Sequence, residues 1–134
     1  MKFFPFVLLL FSAGCIDFSM DEEAMKKAFK ERDLVPLSKK LEVGDDQIHY
    51  VSINQNKDNL AVFIHGSPGS WSAFVDYFKN DSLLRSYDLV SVDRPGYGLS
   101  DAGRPIISLE RQAELIAQVL NEFEHSHVVL VGHS

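Results

Sequence analysis

Three short polar segments of this sequence each follow an apolar run, and they hold the residue types with which chemistry could be done. They are 65–69 (His-Gly-Ser-Pro-Gly), 93–100 (Asp-Arg-Pro-Gly-Tyr-Gly-Leu-Ser) and 132–134 (Gly-His-Ser). A glycine-rich loop after a strand can cradle a phosphate group. However, no lysine follows the first segment as in a P-loop, and no GxGxxG pattern opens a helix. The three segments therefore indicate a function other than phosphate binding.

The apolar runs before these segments predict buried strands. Residues 60–64 and 128–131 are short and continuously apolar, which is typical of strands that are covered on both faces. Residues 89–92 (Leu-Val-Ser-Val) are another candidate for a buried strand. Lys40 to Val43 and Gln47 to Ile53, around Gly44-Asp45-Asp46, predict an additional hairpin.

Two helices are predicted between the strands. Residues 72–78 favour a short helix. Ser108 caps a longer one that extends to about Glu124. Its apolar residues recur at helical spacing: Leu109, Ala113, Ile116, Leu120 and Phe123. Alternating strands and helices predict an α/β fold with parallel strands and crossover helices. The three polar segments then lie at the C-terminal ends of the strands, where open α/β sheets bind ligands.

In this order and spacing, the three motifs resemble the N-terminal half of an α/β-hydrolase-fold protein. The resemblance covers about residues 40–134. It implies a truncated α/β-hydrolase fold that ends at the nucleophile strand. It also implies that Ser134 is the nucleophile, because Gly132-His133-Ser134 matches the first half of the Gly-x-Ser-x-Gly motif.

The same resemblance assigns roles to the other two segments. The backbone N–H of Ser67 becomes an oxyanion-hole donor, and the loop around it is shaped by His65, Gly66, Pro68 and Gly69. Residues 93–100 are expected to be structural, forming a sharp turn that shapes the entrance of the site. A serine rather than an aspartate at position 134 favours acyl transfer over dehalogenase or epoxide-hydrolase chemistry.

Three other histidines, His125, His127 and His133, are not expected to take part in catalysis. His133 adjoins Ser134, but neighbouring residues of a strand point to opposite faces, and the general base of the resembled fold comes from a much later loop. His125 and His127 lack a carboxylate or cysteine cluster, so they are interpreted as surface histidines. No metal and no cofactor are expected.

The N-terminal residues have the layout of an export signal. Lys2 precedes an apolar run over 3–11, and the small residues 12–14 come before Cys15. Ser-Ala-Gly-Cys resembles a bacterial lipobox, so Cys15 is the expected lipidation site and membrane anchor. The predicted organisation is a signal peptide at 1–14, a lipid-anchored tether with a short helix at 15–37, and an incomplete α/β-hydrolase domain at 38–134. This predicts an exported lipoprotein of a bacterial cell envelope; the alternative is a secreted or periplasmic protein.

Composition excludes several other classes. The 134 residues are 46% hydrophobic and 24% charged, which is typical of a globular domain. The net charge of −6 disfavours a nucleic-acid partner. The expected partner is a small acyl substrate.

The sequence stops at the predicted nucleophile. The triad acid and histidine are absent, so the 134-residue chain is expected to be inactive, and its last strand to form an exposed apolar edge. The preferred function is the N-terminal part of a serine hydrolase of esters, thioesters or amides. The alternatives are a non-catalytic truncated lipoprotein, and an acyltransferase or cofactor-free peroxidase on the same fold.

Overall fold

The computed structural model of the protein describes residues 19–101 and 104–133, and these residues form a five-stranded mixed sheet with helices on both faces. The predicted signal segment, Cys15 and Ser134 lie outside the described residues. The strands are β1 (Leu37–Val43), β2 (Asp46–Ile53), β3 (Asn59–Ile64), β4 (Tyr87–Val92) and β5 (His127–Gly132). Their order across the sheet is β1-β2-β4-β3-β5. Strand β3 pairs in parallel with both β4 and β5, whereas β2 pairs antiparallel with β1 and β4. The predicted α/β class, with an N-terminal hairpin and parallel strands, is confirmed.

The helices connect these strands across the two faces of the sheet. They are α1 (Glu22–Phe29), α2 (Val75–Phe78), α3 (Asp81–Ser86) and α4 (Leu109–Leu120), and a 3-10 turn at Trp71–Phe74 precedes α2. The sequence predicted one helix over 72–78 and missed α3. The signal for α3 is its N-cap, because the Asn80 side chain accepts hydrogen bonds from the amides of Ser82 and Leu83.

A two-residue turn closes the β1–β2 hairpin. Val43 pairs with Asp46, so Gly44 and Asp45 form the loop. Gly44 has φ of +65°, a conformation that L side chains rarely adopt. Glycine at the first loop position explains why the chain turns here.

The alternation of side chains along β3 divides the core into two halves. Ala61 and Phe63 face one side, where they pack with Trp71, Phe74 and other side chains of the 3-10 turn, α2 and α3. Leu60 and Val62 face the other side, with residues of α4. Burial on both faces is the reason for the continuous apolar run in this strand.

Helix α1 belongs to the first of these cores. Its Asp21 cap accepts a hydrogen bond from the Ala24 amide, and Met25 and Phe29 are buried beside sheet residues. The sequence predicted a tether helix because the apolar stripe is narrow, but two buried side chains suffice to hold the helix on the sheet. The domain limits and the lipid attachment stay predictions.

Helix α4 packs against the sheet along one side of the predicted apolar stripe. Leu115 and Val119 are its buried residues, whereas Leu109 is 75% exposed and Ala113 is exposed too. Periodicity identified an apolar stripe, but the sheet covers one side of that stripe rather than its centre. The Ser108 cap is confirmed by its hydrogen bond from the Arg111 amide.

Strand β5 is an edge strand in the part of the chain that the structure describes. Its side chains Val128, Val129 and Leu130 are 47%, 44% and 60% exposed. The expected exposed apolar edge is therefore present among these residues, and the prediction that residues 128–131 are covered on both faces is wrong for this part of the chain.

Candidate active site

The three polar segments meet at one edge of the sheet. Strands β3, β4 and β5 run parallel, so residues 65, 93 and 133 follow neighbouring C-terminal ends. The amide of His133 donates to the Ile64 carbonyl at 3.1 Å, which places the end of β5 beside the start of the 65–69 loop. The amide of Arg94 donates to His65 Nε2 at 3.0 Å, which joins that loop to the 93–100 turn. The fold thus brings together the segments that the sequence singled out.

A buried histidine anchors the 65–69 loop. Because His65 Nε2 accepts a hydrogen bond, the ring proton is on Nδ1, which donates to the Gly66 carbonyl at 2.6 Å. Burial lowers the pKa of His65 below its ordinary value of 6.5, since a buried imidazolium would lose its hydration. The ring is therefore neutral near pH 7. A Cβ on Gly69 would lie 3.0 Å from this ring, so glycine allows the loop to fold closely around it.

Ser67 lies at the exposed part of this loop. Its Oγ accepts a hydrogen bond from the Tyr97 hydroxyl at 3.0 Å, and the peptide bond to Pro68 is cis. Within residues 19–101 and 104–133, the Ser67 amide makes no hydrogen bond. A donor in this state can serve a ligand oxygen, which is the role the sequence predicted for it.

The 93–100 turn is organised around one buried carboxylate. Asp93 accepts hydrogen bonds from the amide of Trp71 at 2.6 Å and from the amide of Leu99 at 2.9 Å. Its carbonyl accepts from the Ser100 hydroxyl at 2.7 Å. The Arg94 guanidinium lies 4.9 Å from the centre of the Tyr97 ring. These contacts hold the 93–100 turn beside the 65–69 loop. They agree with the structural role that was expected of the turn.

Two histidines have surroundings that the sequence did not reveal. The His49 side chain is buried, and its Nδ1 lies 2.8 Å from Asp93 Oδ2. The His125 side chain is only 5% exposed and pairs with Asp88 at 3.0 Å, so its interpretation as a surface histidine is wrong. Both acids are distant in sequence, and no local pattern indicates either pair. His127 and His133 are exposed.

The titration of His65 gives a pH prediction. A folded pKa below 6.5 means that, between the two values, the unfolded chain binds more protons than the folded one. The free energy of unfolding is therefore expected to fall as pH is lowered below about 6.5, until the folded pKa is reached. In His65→Gln this dependence is expected to weaken. Urea titrations at several pH values, followed by fluorescence of Trp71, the single tryptophan, measure it. His127→Gln, at an exposed position, is the matched control and should keep the wild-type pH slope. An unchanged slope in His65→Gln contradicts the prediction.

The three loops follow the ends of the parallel strands of a mixed sheet, which is where open α/β sheets bind their ligands. The sequence profile of the alpha/beta hydrolase family matches residues 61–134, more than half of the chain. The chain therefore belongs to that family.

Solved structures share this fold. The Cif epoxide hydrolase from Acinetobacter nosocomialis is 20% identical with a TM-score of 0.62, over 87% of this chain and 39% of the other. A membrane phospholipase A, described as a bacterial virulence factor, is 22% identical with a TM-score of 0.62, over 74% and 32%. The thioesterase domain of the curacin biosynthetic pathway is 24% identical with a TM-score of 0.58, over 74% and 35%. The chain thus spans between 32% and 39% of the length of these structures.

Neither residues 19–101 nor residues 104–133 contain a helix long and apolar enough to cross a membrane. The same two ranges hold no group of three or more histidine, cysteine, aspartate or glutamate side chains arranged to bind a metal ion.

Proposed function

We propose that this chain is the N-terminal part of a serine hydrolase that acts on an ester, thioester or amide of a small acyl substrate. The observation that carries the proposal is the junction of β3 and β5. There the Ser67 amide, which has no hydrogen-bond partner among the described residues, lies two residues beyond His65, and the amide of His133 donates to the Ile64 carbonyl. This pairing of β3 with β5 supports the proposed roles of the 65–69 loop as oxyanion donor and of Ser134 as nucleophile.

The proposed reaction is acyl transfer through an acyl-serine. The Ser134 hydroxyl attacks the carbonyl carbon and gives its proton to a general base, and the carbonyl oxygen becomes an oxyanion that accepts from the Ser67 N–H. The bond to the leaving group then breaks, and the leaving group takes the proton from the base. Water releases the acyl group by the same steps. In the family resemblance, the base and its carboxylate partner follow the serine in the chain.

The relatives act on different bonds, so the choice among them depends on the nucleophile. Epoxide hydrolase, phospholipase and thioesterase all occur among the structures that share the fold. A serine at position 134 favours acyl transfer, the chemistry of the last two.

The test uses the complete gene product purified from membranes of its source cells. A fluorophosphonate probe followed by peptide mass spectrometry is expected to place the adduct on Ser134, and Ser134→Ala is expected to lose it. Ser82→Ala is the control, because Ser82 is an exposed serine of α3 outside the site. A folded product with an unlabelled Ser134 contradicts the serine mechanism.

The same sample tests the proposed anchoring. We propose that Cys15 is the diacylated N-terminal residue of an exported lipoprotein, because two acyl chains give stable membrane attachment. The N-terminal peptide is expected to begin at Cys15 and carry the mass of diacylglycerol. An unmodified N-terminal peptide that begins elsewhere contradicts lipidation.

A further inference from the structure

A second serine, remote from residue 134 in the sequence, is hydrogen-bonded to the buried His49–Asp93 pair. Ser38 Oγ on β1 lies 2.8 Å from His49 Nε2 on β2. His49 Nδ1 in turn lies 2.8 Å from Asp93 Oδ2, just beyond β4. The side chains of His49 and Asp93 are 1% and 0% exposed, whereas Ser38 is exposed. Serine, histidine and aspartate thus form one continuous chain with the serine at the surface.

The hydrogen bonds of Asp93 decide where the imidazole proton lies. Both carboxylate oxygens already accept backbone N–H groups, Oδ1 from Trp71 and Oδ2 from Leu99. A carboxylate in this position only accepts, so His49 Nδ1 is the donor in the pair. In the neutral ring, Nε2 then carries the lone pair and accepts the Ser38 O–H. This is the tautomer that a general base for a serine hydroxyl requires.

Ser38 also lines a groove between α1 and the beginning of β1. The groove has a volume of about 470 Å³, and its apolar lining includes Met25, Phe29, Leu34 and Val35. This size is within the usual range for small-ligand sites, about 300 to 1,000 Å³. Its charged lining consists of two lysines and two acids, Lys26, Lys30, Glu22 and Asp33, so the charges balance. An uncharged aliphatic chain fits this lining best.

We propose that Ser38, His49 and Asp93 form a second nucleophilic site, which accepts aliphatic acyl groups from esters bound in the α1 groove. The Ser38 Oγ attacks the ester carbonyl carbon while its proton passes to His49 Nε2. The new Oγ–C bond forms, the ester C–O bond breaks, and the departing alcohol takes the proton from His49. Asp93 holds the ring in place and balances the positive charge that forms on it. The site uses none of the residues of the proposed Ser134 reaction.

The experiment measures where, and how fast, a decyl fluorophosphonate modifies the 134-residue chain. The Ser38 Oγ–P bond forms, the P–F bond breaks, and fluoride leaves while the proton passes to His49. Peptide mass spectrometry counts adducts at each serine separately, so the outcome at Ser38 does not depend on Ser134. General-base catalysis contributes about 10² to 10⁴ in rate. We therefore expect Ser38 to react at least about 100-fold faster than Ser82, an exposed serine whose hydroxyl oxygen accepts a hydrogen bond from Arg85.

Two comparisons separate this site from a merely structural network. An ethyl fluorophosphonate should react at Ser38 at least about tenfold more slowly than the decyl probe, because it buries fewer methylene groups in the groove. In His49→Gln, which keeps a hydrogen-bonding side chain without a base, Ser38 should react no faster than Ser82. Trp71 fluorescence checks that this variant is folded.

The proposal is overturned if the labelling rate of Ser38 in the folded wild-type chain is less than tenfold above that of Ser82. It is also overturned if His49→Gln folds and keeps the wild-type labelling rate. If His49→Gln does not fold, the ratio of Ser38 to Ser82 labelling in the wild-type chain decides the question.

Discussion

Replacing Asp93 with asparagine is expected to lower the free energy of unfolding by about 3 to 5 kcal/mol, because it removes buried hydrogen bonds to a carboxylate that contribute about 1.5 to 3 kcal/mol each. The carboxylate accepts from His49, from the Trp71 amide and from the Leu99 amide. An asparagine has one oxygen and one NH₂ group. Its NH₂ must therefore face at least one of these buried donors, which is left without an acceptor.

Urea unfolding, followed by Trp71 fluorescence, measures this loss. A domain of this size has a total stability of about 5 to 15 kcal/mol, so the variant would be near the limit of folding. Asp76→Asn is the matched control. The Asp76 side chain is 95% exposed and pairs with Lys79, and such surface pairs contribute about 0 to 1 kcal/mol. If Asp93→Asn unfolds at the same urea concentration as Asp76→Asn, the carboxylate is not the centre of the turn.

Gly98→Ala is expected to be nearly as damaging, for a steric reason. Gly98 has φ of +53°, and a Cβ there would lie 2.3 Å from the Asp93 carboxylate. The backbone conformation alone costs about 1 to 2 kcal/mol for an L residue. The collision adds about 1 to 3 kcal/mol as the turn or the carboxylate shifts. We expect a total loss of about 2 to 5 kcal/mol.

The Gly44→Ala variant separates the conformational cost of a positive φ from the cost of the steric contact with Asp93. Gly44 also has a positive φ, +65°, but a Cβ there would meet nothing within 4 Å. This control should therefore lose only the conformational part, about 1 to 2 kcal/mol. The two variants are compared by the same urea titration. Equal losses would show that the contact with Asp93 costs nothing.

Together the two predictions explain why the 93–100 segment contains the residues it does. Asp93 requires a close approach of the backbone, and Gly98 permits it. Ser100 completes the turn, because its hydroxyl donates to the Asp93 carbonyl and accepts from the His49 amide. The segment therefore supports both the 65–69 loop and the proposed Ser38 site.

Local pattern alone was sufficient for several features of this protein. The three strands β3, β4 and β5 were predicted to within a few residues. Both faces of β3 and β4 are covered, which explains why these strands lack a regular alternation of polar residues. Strand β5 has the same apolar pattern, although its side chains are mostly exposed. The hairpin followed from its turn residues, and α4 from the Ser108 cap and helical spacing. Parallel strands place all their C-terminal ends at one edge. The meeting of residues 65, 93 and 133 was therefore implied by the order of the elements.

Tertiary structure decided the features that depend on which side chains meet. The narrow apolar stripe of α1 does not show whether Met25 and Phe29 enter the core, and the apolar stripe of α4 does not show which side the sheet covers. Nothing in the sequence relates Ser38 to His49 and Asp93, because their contact depends on strand order and register. Hydrophobic periodicity in the sequence predicts which residues are buried. Only the assembled sheet determines which buried polar groups form hydrogen bonds with each other.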